Sequence, residues 1–253
     1  MDIQEITTRT ALVRSRIPGV EFVINPYLGC GHGCRYCYAV FMTKYSRHHT
    51  QFAWGDFVEV KTNIVTVLRD ELRRKRKTGT AMLSSVCDPY QPAERRYKLT
   101  RGCLEALRDF NWGIEILTRS PLVLRDLDIL KAAPNVSVGL TIPTDDDRVR
   151  RVTEPSAPPI GSRIETLRRL KEAGIATWVF IGPMLPMNPE RLAELVAPVA
   201  DEVMMDALNY RGQVAGLFRR MGWGYALTSE YAEATAAELR RLFGPLAVFV
   251  ARP

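Results

Sequence analysis

The sequence is poor in the features that mark secreted and membrane proteins. It has only five cysteines in 253 residues, which argues against a disulfide framework in a chain of this size. No apolar run approaches the ~20 residues that span a bilayer. The N-terminal stretch MDIQEITTRTALVRSR also lacks the apolar segment of a signal peptide. We therefore expect a cytoplasmic protein that does not contact membranes.

The chain also lacks repeats, low-complexity segments and linkers, and its length suits one large domain or two small ones. Lysine and arginine outnumber aspartate and glutamate by 35 to 28, a net charge of +7. This excess permits a nucleic-acid partner without demanding one. Its densest segment, RRKRK at residues 73–77, is more typical of a solvated helix end than of a phosphate-contacting patch.

Short β-rich runs alternate with helical patterns along the chain. Between the runs, apolar residues recur at helical spacing, as at Ile64, Leu68 and Leu72. This alternation, repeated six times, predicts a parallel sheet with crossover helices, either a barrel or partial barrel or an open doubly wound sheet. The predicted strands are VEFVI (20–24), TAMLSSV (80–86), GIEILT (113–118), NVSVGLTI (135–142), ATWVFIG (176–182), EVMMDAL (202–208) and, as a candidate last strand, LAVFV (246–250).

Several helix ends are marked in the sequence. Ser162 with Glu165 has the pattern of a capping box, and Asn188 before Pro189 predicts another helix start. Ser229 is expected to begin the last helix. In parallel α/β folds the functional residues usually lie at the carboxyl ends of the strands. This rule points to residues 25–38, 84–94, 117–121 and 141–159.

Three cysteines, Cys30, Cys34 and Cys37, lie in the first of these stretches, within GCGHGCRYCYA (29–39). Three thiolates suit a cubane iron–sulfur cluster whose fourth iron keeps an open coordination site for a small molecule. The alternative is a zinc site completed by His32 or a distant residue. Zinc motifs usually have two CxxC-like halves, however, and only one is present.

The pattern C-x3-C-x-Φ-C, with Tyr36 as the aromatic Φ, resembles the cluster motif of the radical S-adenosylmethionine (SAM) superfamily. The resemblance implies a partial (βα)6 TIM-type α/β barrel in which the three cysteines hold a [4Fe–4S] cluster. It also implies that the open iron binds SAM, which is cleaved reductively to a 5′-deoxyadenosyl radical that abstracts a hydrogen atom from substrate. One domain would span residues 1–253, with an extension at 1–19, a barrel core at 20–210 and C-terminal helices at 211–253.

Longer segments are similar to the spore photoproduct lyase-like subfamily: NPYLGCGHGCRYCYA (25–39), SSVCDPYQPAERRYKLTR (84–101), ILTRS (116–120) and TEPSAPP (153–159). This similarity implies lyase-like chemistry on nucleic acid or a nucleotide, with an external electron donor such as flavodoxin or ferredoxin. The chain ends soon after the last predicted strand, where that lyase continues into a hairpin used on lesion DNA. Radical modification of a protein or small molecule, and a non-catalytic electron carrier or redox sensor, therefore stay open.

The subfamily resemblance also implies roles for individual residues. Tyr36 would contact the adenine, and Tyr36 with Tyr38 would relay a hydrogen atom. The further cofactor-binding residues are Ser84, Ser85 and Asp88 near the methionine moiety, Arg119 on its carboxylate, and Ser137 and Thr141 on the ribose hydroxyls. The alternatives are that both tyrosines only cap the core, that Asp88 forms a turn, that Arg119 is a surface charge, and that Ser137 and Thr141 satisfy the backbone at a strand end.

Cys87 lies two residues after Ser85 in SSVCDPY. If the predicted strand continues this far, the two side chains face the same way, into the barrel interior. A thiol S–H bond is weak enough to donate a hydrogen atom to a carbon radical, so we expect Cys87 to quench a substrate radical. The alternative is a small buried filler. His48 and His49 have no ligand spacing and are interpreted as loop residues.

Overall fold

The structure is a computed structural model that describes residues 1–17, 19–46 and 52–249. His48 and His49 lie outside the described residues, as does the end of the predicted last strand. The strands are β1 (Asp2–Ile6), β2 (Val13–Arg14), β3 (Phe22–Ile24), β4 (Tyr27–Leu28), β5 (Phe57–Lys61), β6 (Thr80–Leu83), β7 (Gly113–Thr118), β8 (Val136–Thr141), β9 (Ala176–Ile181), β10 (Glu202–Met205) and β11 (Ala247–Phe249).

The larger of two sheets has the strand order β11–β10–β9–β8–β7–β6–β3–β2. From β3 to β11 all neighbours are parallel, and β2 alone runs antiparallel to its neighbour. The parallel strands follow one another in chain order, so their carboxyl ends share one edge. Within the described ranges no ladder joins β2 to β11, which confirms a partial barrel.

The helices cover this sheet and confirm most of the predicted ends. Asn188 caps its helix by accepting a hydrogen bond from the backbone N–H of Arg191 at 2.8 Å, with Pro189 as the first helical residue. The helices are α1 (Ile64–Arg73), α2 (Glu94–Tyr97), α3 (Leu99–Asp109), α4 (Leu127–Ala132), α5 (Asp147–Thr153), α6 (Ile160–Glu172), α7 (Pro189–Val196), α8 (Arg211–Arg220) and α9 (Ser229–Phe243).

One predicted helix start is wrong. Helix α6 begins at Ile160, so Ser162 lies inside its first turn and donates its hydroxyl to a backbone carbonyl instead of capping. A carboxylate from another helix takes the capping role, because Asp147 accepts from the Ile160 N–H at 3.2 Å. Helix α9 begins at Ser229, as predicted, and Thr228 caps it.

A second sheet of three strands, in the order β1–β5–β4, was not predicted. β1 pairs in parallel with β5, and β4 pairs antiparallel with it. Strand β4 comes directly before the cysteine-rich segment. The first residues of the chain, expected only as an extension, therefore help to hold the start of that segment.

The main apolar core lies between the larger sheet and its helices, and a smaller cluster lies beside the cysteines. In the smaller cluster Cys34 and Tyr36 share a core with Leu208, Val214 and Phe218. Val214 and Phe218 belong to α8, so this C-terminal helix packs over the cysteine-rich segment. Burial of these apolar side chains stabilises the contact.

The basic segment at residues 73–77 lies at the edge opposite the carboxyl ends of the strands. It follows α1 and leads into the start of β6. Arg73 forms an ion pair with Asp70 at 2.5 Å, and the Lys75 ammonium lies 4.6 Å from the ring centroid of Phe22. This segment therefore cannot contact a substrate at the functional edge. None of the described helices is long and apolar enough to cross a membrane.

Candidate cofactor site

The cysteine loop, which we define as residues 29–37, follows β4 at the functional edge of the barrel. Gly29 begins it with φ of +85°, and a Cβ there would lie 2.4 Å from the carbonyl oxygen of Phe57. Only glycine fits such a left-handed, close approach. The loop buries Cys30 and Cys34, while Cys37 is half-buried. The three thiols therefore lie in one short, tightly packed segment.

The electrostatics of these thiols suit a metal cluster. Burial raises the pKa of Cys34 to about 12 and also raises the pKa of Cys30. Burial also raises the pKa of Cys37. The Ala39 N–H, the Arg119 guanidinium and the indole N–H of Trp54 lower it, but burial has the larger effect. Thiolates at such positions need positive charge to stabilise them, and iron supplies it. The donor set fits a [4Fe–4S] cluster.

The same geometry argues against the zinc alternative. Among the residues that the structure describes, no three His, Cys, Asp or Glu side chains are grouped to hold one metal ion. A cubane places its thiolate ligands on different iron atoms, so they lie further apart than the ligands of one zinc ion. The imidazole of His32 is also engaged elsewhere, with Nε2 3.2 Å from the Asp88 carboxylate.

Gln91, which the sequence analysis did not single out, holds the cysteine loop by its backbone. Its side-chain oxygen accepts from the Gly31 N–H at 2.9 Å, and its amide nitrogen donates to the Gly29 carbonyl at 3.1 Å. These two bonds bracket Cys30, and Gln91 is fully buried. An amide is the side chain that offers both a donor and an acceptor in this way. Its position in DPYQP was the available signal.

Asp88 joins the cysteine loop to the end of β7. Its carboxylate accepts from the Thr118 hydroxyl at 2.6 Å and from the Arg119 N–H at 2.8 Å, and it faces His32. Burial alone raises the pKa of Asp88, but His32 and these donors lower it to about 2. These bonds are all to protein groups, so the predicted contact of Asp88 with the methionine moiety stays a prediction. Asp88 is engaged with protein groups through both of its carboxylate oxygens and positions the loops.

Glu154 lies at the centre of a buried ionic network and was missed as a site residue. Its carboxylate accepts from Arg119 at 2.8 Å, from Arg163 at 2.5 Å and from the hydroxyl of Tyr36. Arg119 also donates to the Tyr36 hydroxyl at 3.2 Å. Glu154 thus brings together two predicted site residues, Arg119 and Tyr36. The TEPSAPP segment (153–159), which contains Glu154, was the available signal in the sequence.

Strand β6 ends earlier than predicted, which changes the placement of Ser84, Ser85 and Cys87. Ser84 has φ of +65° and turns the chain out of the strand after Leu83. The argument that Ser85 and Cys87 share a strand face is therefore wrong. The Cys87 thiol instead lies 3.4 Å from the Ser84 hydroxyl and 3.5 Å from the Tyr27 carbonyl.

The two candidate ribose contacts lie at opposite ends of β8. Thr141 is the last residue of the strand, at the functional edge, and Ser137 is near its start. Four residues of strand separate them by about 13 Å, so the expectation for Ser137 is wrong. The Thr141 hydroxyl is buried and has no hydrogen-bond partner among the described residues. A ligand with a polar group fits this orphaned oxygen.

The tyrosines on either side of Cys37 have different partners. Tyr36 is buried and donates to Glu154, whereas Tyr38 is 44% exposed and donates to the carbonyl of Ser85. Tyr38 thus lies toward the loop that carries Cys87. These bonds do not join the two hydroxyls, so a relay between them stays a prediction.

A family model for the radical SAM superfamily matches residues 24–198. The matched span is more than half of the chain and contains the cysteine loop and every other predicted site residue. The chain belongs to the radical SAM superfamily. This superfamily uses a [4Fe–4S] cluster and SAM, so the predicted family and cofactors are confirmed. An enzyme that uses radical chemistry follows from this membership.

Relatives of this radical SAM protein occur in archaea and bacteria. One from Methanocaldococcus jannaschii is 39% identical over 186 residues, which is 74% of this chain and 69% of that protein. One from Mycobacterium tuberculosis is 31% identical over 230 residues, which is 85% of this chain and 67% of that protein. The names of both describe them as uncharacterized.

Two solved radical SAM structures share the fold. A spore photoproduct lyase variant with bound AdoMet and dinucleoside spore photoproduct is similar with a TM-score of 0.67 and 15% identity, over 99% of this chain and 82% of that chain. SuiB of Streptococcus suis, bound to precursor peptide SuiA, is similar with a TM-score of 0.57 and 15% identity, over 90% of this chain and 48% of that chain. At these identities the likeness is one of fold.

Replacing Gln91 with leucine will weaken cluster retention. The change leaves two buried backbone groups without partners, at a cost of about 1–3 kcal/mol each, and frees the loop around Cys30. Iron per chain after anaerobic reconstitution will fall, and a chelator will remove the iron faster. Gln91→Glu, which keeps only the acceptor, will be intermediate. Gln213→Leu, on the exposed face of α8, is the control. Equal iron retention in Gln91→Leu and wild type would contradict this role.

Stability should fall in acid as Glu154 is protonated. Burial alone raises the pKa of Glu154, but Arg163 and Arg119 lower it to about 2. Because the unfolded value is about 4.3, the stabilisation is complete above that pH and is lost as the pH falls toward 2. Urea unfolding of protein purified without iron will show this loss, and Glu154→Gln will flatten it.

The same substitution will lower the free energy of unfolding at pH 7 by about 3 kcal/mol, because it breaks a buried ion pair. Glu238→Gln is the matched control, since Glu238 pairs with Arg241 on the surface, where ion pairs contribute little. Parallel pH profiles for wild type and Glu154→Gln would show that Glu154 does not carry the effect.

Proposed function

We propose that the protein is a radical SAM enzyme that holds its [4Fe–4S] cluster with Cys30, Cys34 and Cys37 and acts on nucleic acid or a nucleotide. The observation that carries the proposal is the grouping of three thiols, two buried and one half-buried, in one loop at the functional edge, beside the Arg119–Glu154–Tyr36 network. When bound, the cluster and SAM supply a 5′-deoxyadenosyl radical that abstracts a hydrogen atom from substrate.

The chain's own residues orient SAM and exclude water. Glu154 holds the Tyr36 hydroxyl and so keeps the ring in place for the adenine. The Thr141 hydroxyl is free to bond a ribose hydroxyl. Arg119 reaches toward the cysteine loop from the end of β7, with one guanidinium nitrogen on Glu154, and its remaining N–H groups suit the carboxylate of SAM. Helix α8 covers the loop with apolar side chains and limits water entry.

Tyr38 and Cys87 form the substrate side of the site. Burial raises the pKa of Cys87 to about 11, so the sulfur carries its proton at neutral pH. A protonated thiol is the form that donates a hydrogen atom to a carbon radical. The Tyr38 hydroxyl, on the Ser85 carbonyl, lies along the same loop. Cys87 therefore serves as hydrogen donor to the substrate radical, and Tyr38 as the next member of the relay.

Two observations support the substrate class. Spore photoproduct lyase, which shares the fold, is known with a dinucleoside bound, and the net charge of +7 suits phosphate. The likeness to SuiB, known with a peptide bound, favours protein modification as the second candidate. An external reductant such as flavodoxin or ferredoxin would supply the electron.

Anaerobic incubation with SAM and dithionite tests the proposal. Reconstituted wild type will carry one [4Fe–4S] cluster per chain by iron analysis and Mössbauer spectroscopy, and will release methionine and 5′-deoxyadenosine. Cys34→Ala will lose the cubane and this activity, whereas Cys103→Ala, in the core of α3, will keep both. A full cluster in Cys34→Ala would refute the ligand assignment. A reduced cluster that never yields 5′-deoxyadenosine would favour an electron carrier.

Replacing Cys87 with alanine separates hydrogen donation from SAM cleavage. In single-turnover assays with irradiated DNA, 5′-deoxyadenosine formation will stay within about twofold of wild type, since the thiol acts after hydrogen abstraction. The products will shift to adducts of an unquenched substrate radical. Cys103→Ala again serves as the control. An unchanged product distribution would leave Cys87 as a packing residue.

A further inference from the structure

A group of exposed aromatic side chains lies directly beside the cysteine loop. The 3₁₀ helix Tyr38–Tyr45 begins immediately after Cys37 and exposes Phe41 by 46% and Tyr45 by 62%. Tyr210, just before α8, is 50% exposed. We define Tyr38, Phe41, Tyr45 and Tyr210 as the aromatic surface. Aromatic side chains exposed together, rather than singly, mark an interaction site.

The rings of the aromatic surface are arranged around Tyr38. Its ring centroid lies 6.3 Å from that of Phe41 and 6.5 Å from that of Tyr210, and the planes of Tyr38 and Tyr210 differ by 26°. Tyr38 also reaches the Ser85 loop through its hydroxyl. The aromatic surface is therefore continuous with the substrate side of the cofactor site.

A lysine is interleaved with these rings. The Lys44 ammonium lies 4.9 Å from the ring centroid of Tyr45 and 5.9 Å from that of Phe41. No carboxylate of the described residues lies within ion-pair distance of it. Rings with a cation between them match the chemistry of a single strand, in which flat bases alternate with phosphates.

We propose that the aromatic surface stacks unpaired bases of single-stranded nucleic acid, with Lys44 on an adjacent phosphate, and so leads the strand to Tyr38. This inference rests on the proposed nucleic-acid substrate and adds where and in what form it binds. Stacking on aromatic rings needs no particular base, so binding is tolerant of sequence. A duplex would need its bases unstacked before they could use this surface.

Fluorescence anisotropy of the reconstituted protein tests the inference with two labelled probes, oligothymidine and an abasic oligomer with the same number of phosphates. Wild type will bind oligothymidine about tenfold more tightly than the abasic oligomer. Phe41→Ala, Tyr45→Ala and Tyr210→Ala will each weaken oligothymidine binding about fivefold or more and leave the abasic oligomer unchanged. Tyr38 stays intact, because it belongs to the cofactor site.

Two further variants test the phosphate contact and supply a matched control. Lys44→Ala will weaken binding of both probes and reduce the slope of log affinity against log salt by about one. Tyr225→Ala is the matched control, since Tyr225 is 52% exposed but lies on another 3₁₀ helix, against Tyr231. It will leave binding of both probes unchanged.

The outcomes separate this inference from the proposed function. If wild type binds both probes equally, or if the three aromatic variants bind oligothymidine as wild type does, the aromatic surface is not a base-stacking site, while a nucleic-acid substrate stands. If wild type binds neither probe at low salt, this inference and the substrate class both fall. Release of 5′-deoxyadenosine, measured in the same preparations, reports the radical chemistry independently.

Discussion

A carboxylate buried between two guanidinium groups is the interaction on which the site depends. Glu154 ties Tyr36 of the cysteine loop to Arg119 at the end of β7 and to Arg163 of α6. Arg163 in turn donates to the Thr141 carbonyl at the end of β8. A buried charge without such partners would be strongly unfavourable. The network therefore holds the cysteine loop and the ends of β7 and β8 in one arrangement, where we propose that SAM binds.

Other buried polar groups in the cysteine loop also need hydrogen-bond partners. Its backbone N–H and C=O groups are removed from water but do not belong to a helix or sheet, so turns and side chains must satisfy them. Gln91 does this around Cys30, and Asp88 links His32 to β7. Residues 84–94 thus form a second polar support for the loop, beside the Glu154 network. The geometry of the cysteine loop therefore depends on these supports.

Elements outside the barrel also act on the site. The second sheet, of three strands, places β4 directly before Gly29. Helix α8 packs Val214 and Phe218 against Cys34 and Tyr36. The chain thus encloses the loop between its N-terminal strand and a C-terminal helix. The exposed aromatic surface begins where this enclosure ends, after Cys37. The buried Tyr36 and the exposed Tyr38 are therefore only two positions apart in the chain.

The sequence by itself determined the features that depend on neighbouring residues. The periodicity of apolar residues predicted the parallel strands, and eleven residues around Cys30, Cys34 and Cys37 carried the cluster motif, because a loop ligand set is local in the chain. The end of β6 escaped prediction, because SSV reads as strand and only the positive φ of Ser84 turns it away.

Tertiary structure alone decided which distant groups meet. Tyr36 and Glu154 are 118 positions apart, and β1 pairs with β5 across more than fifty residues. Such contacts follow from strand order and burial, which no local pattern encodes. A glutamate in a proline-rich loop looks like a solvated charge until the fold removes it from water and supplies Arg119 and Arg163. The roles of Glu154 and Gln91 were therefore visible only once the strands had brought the loops together.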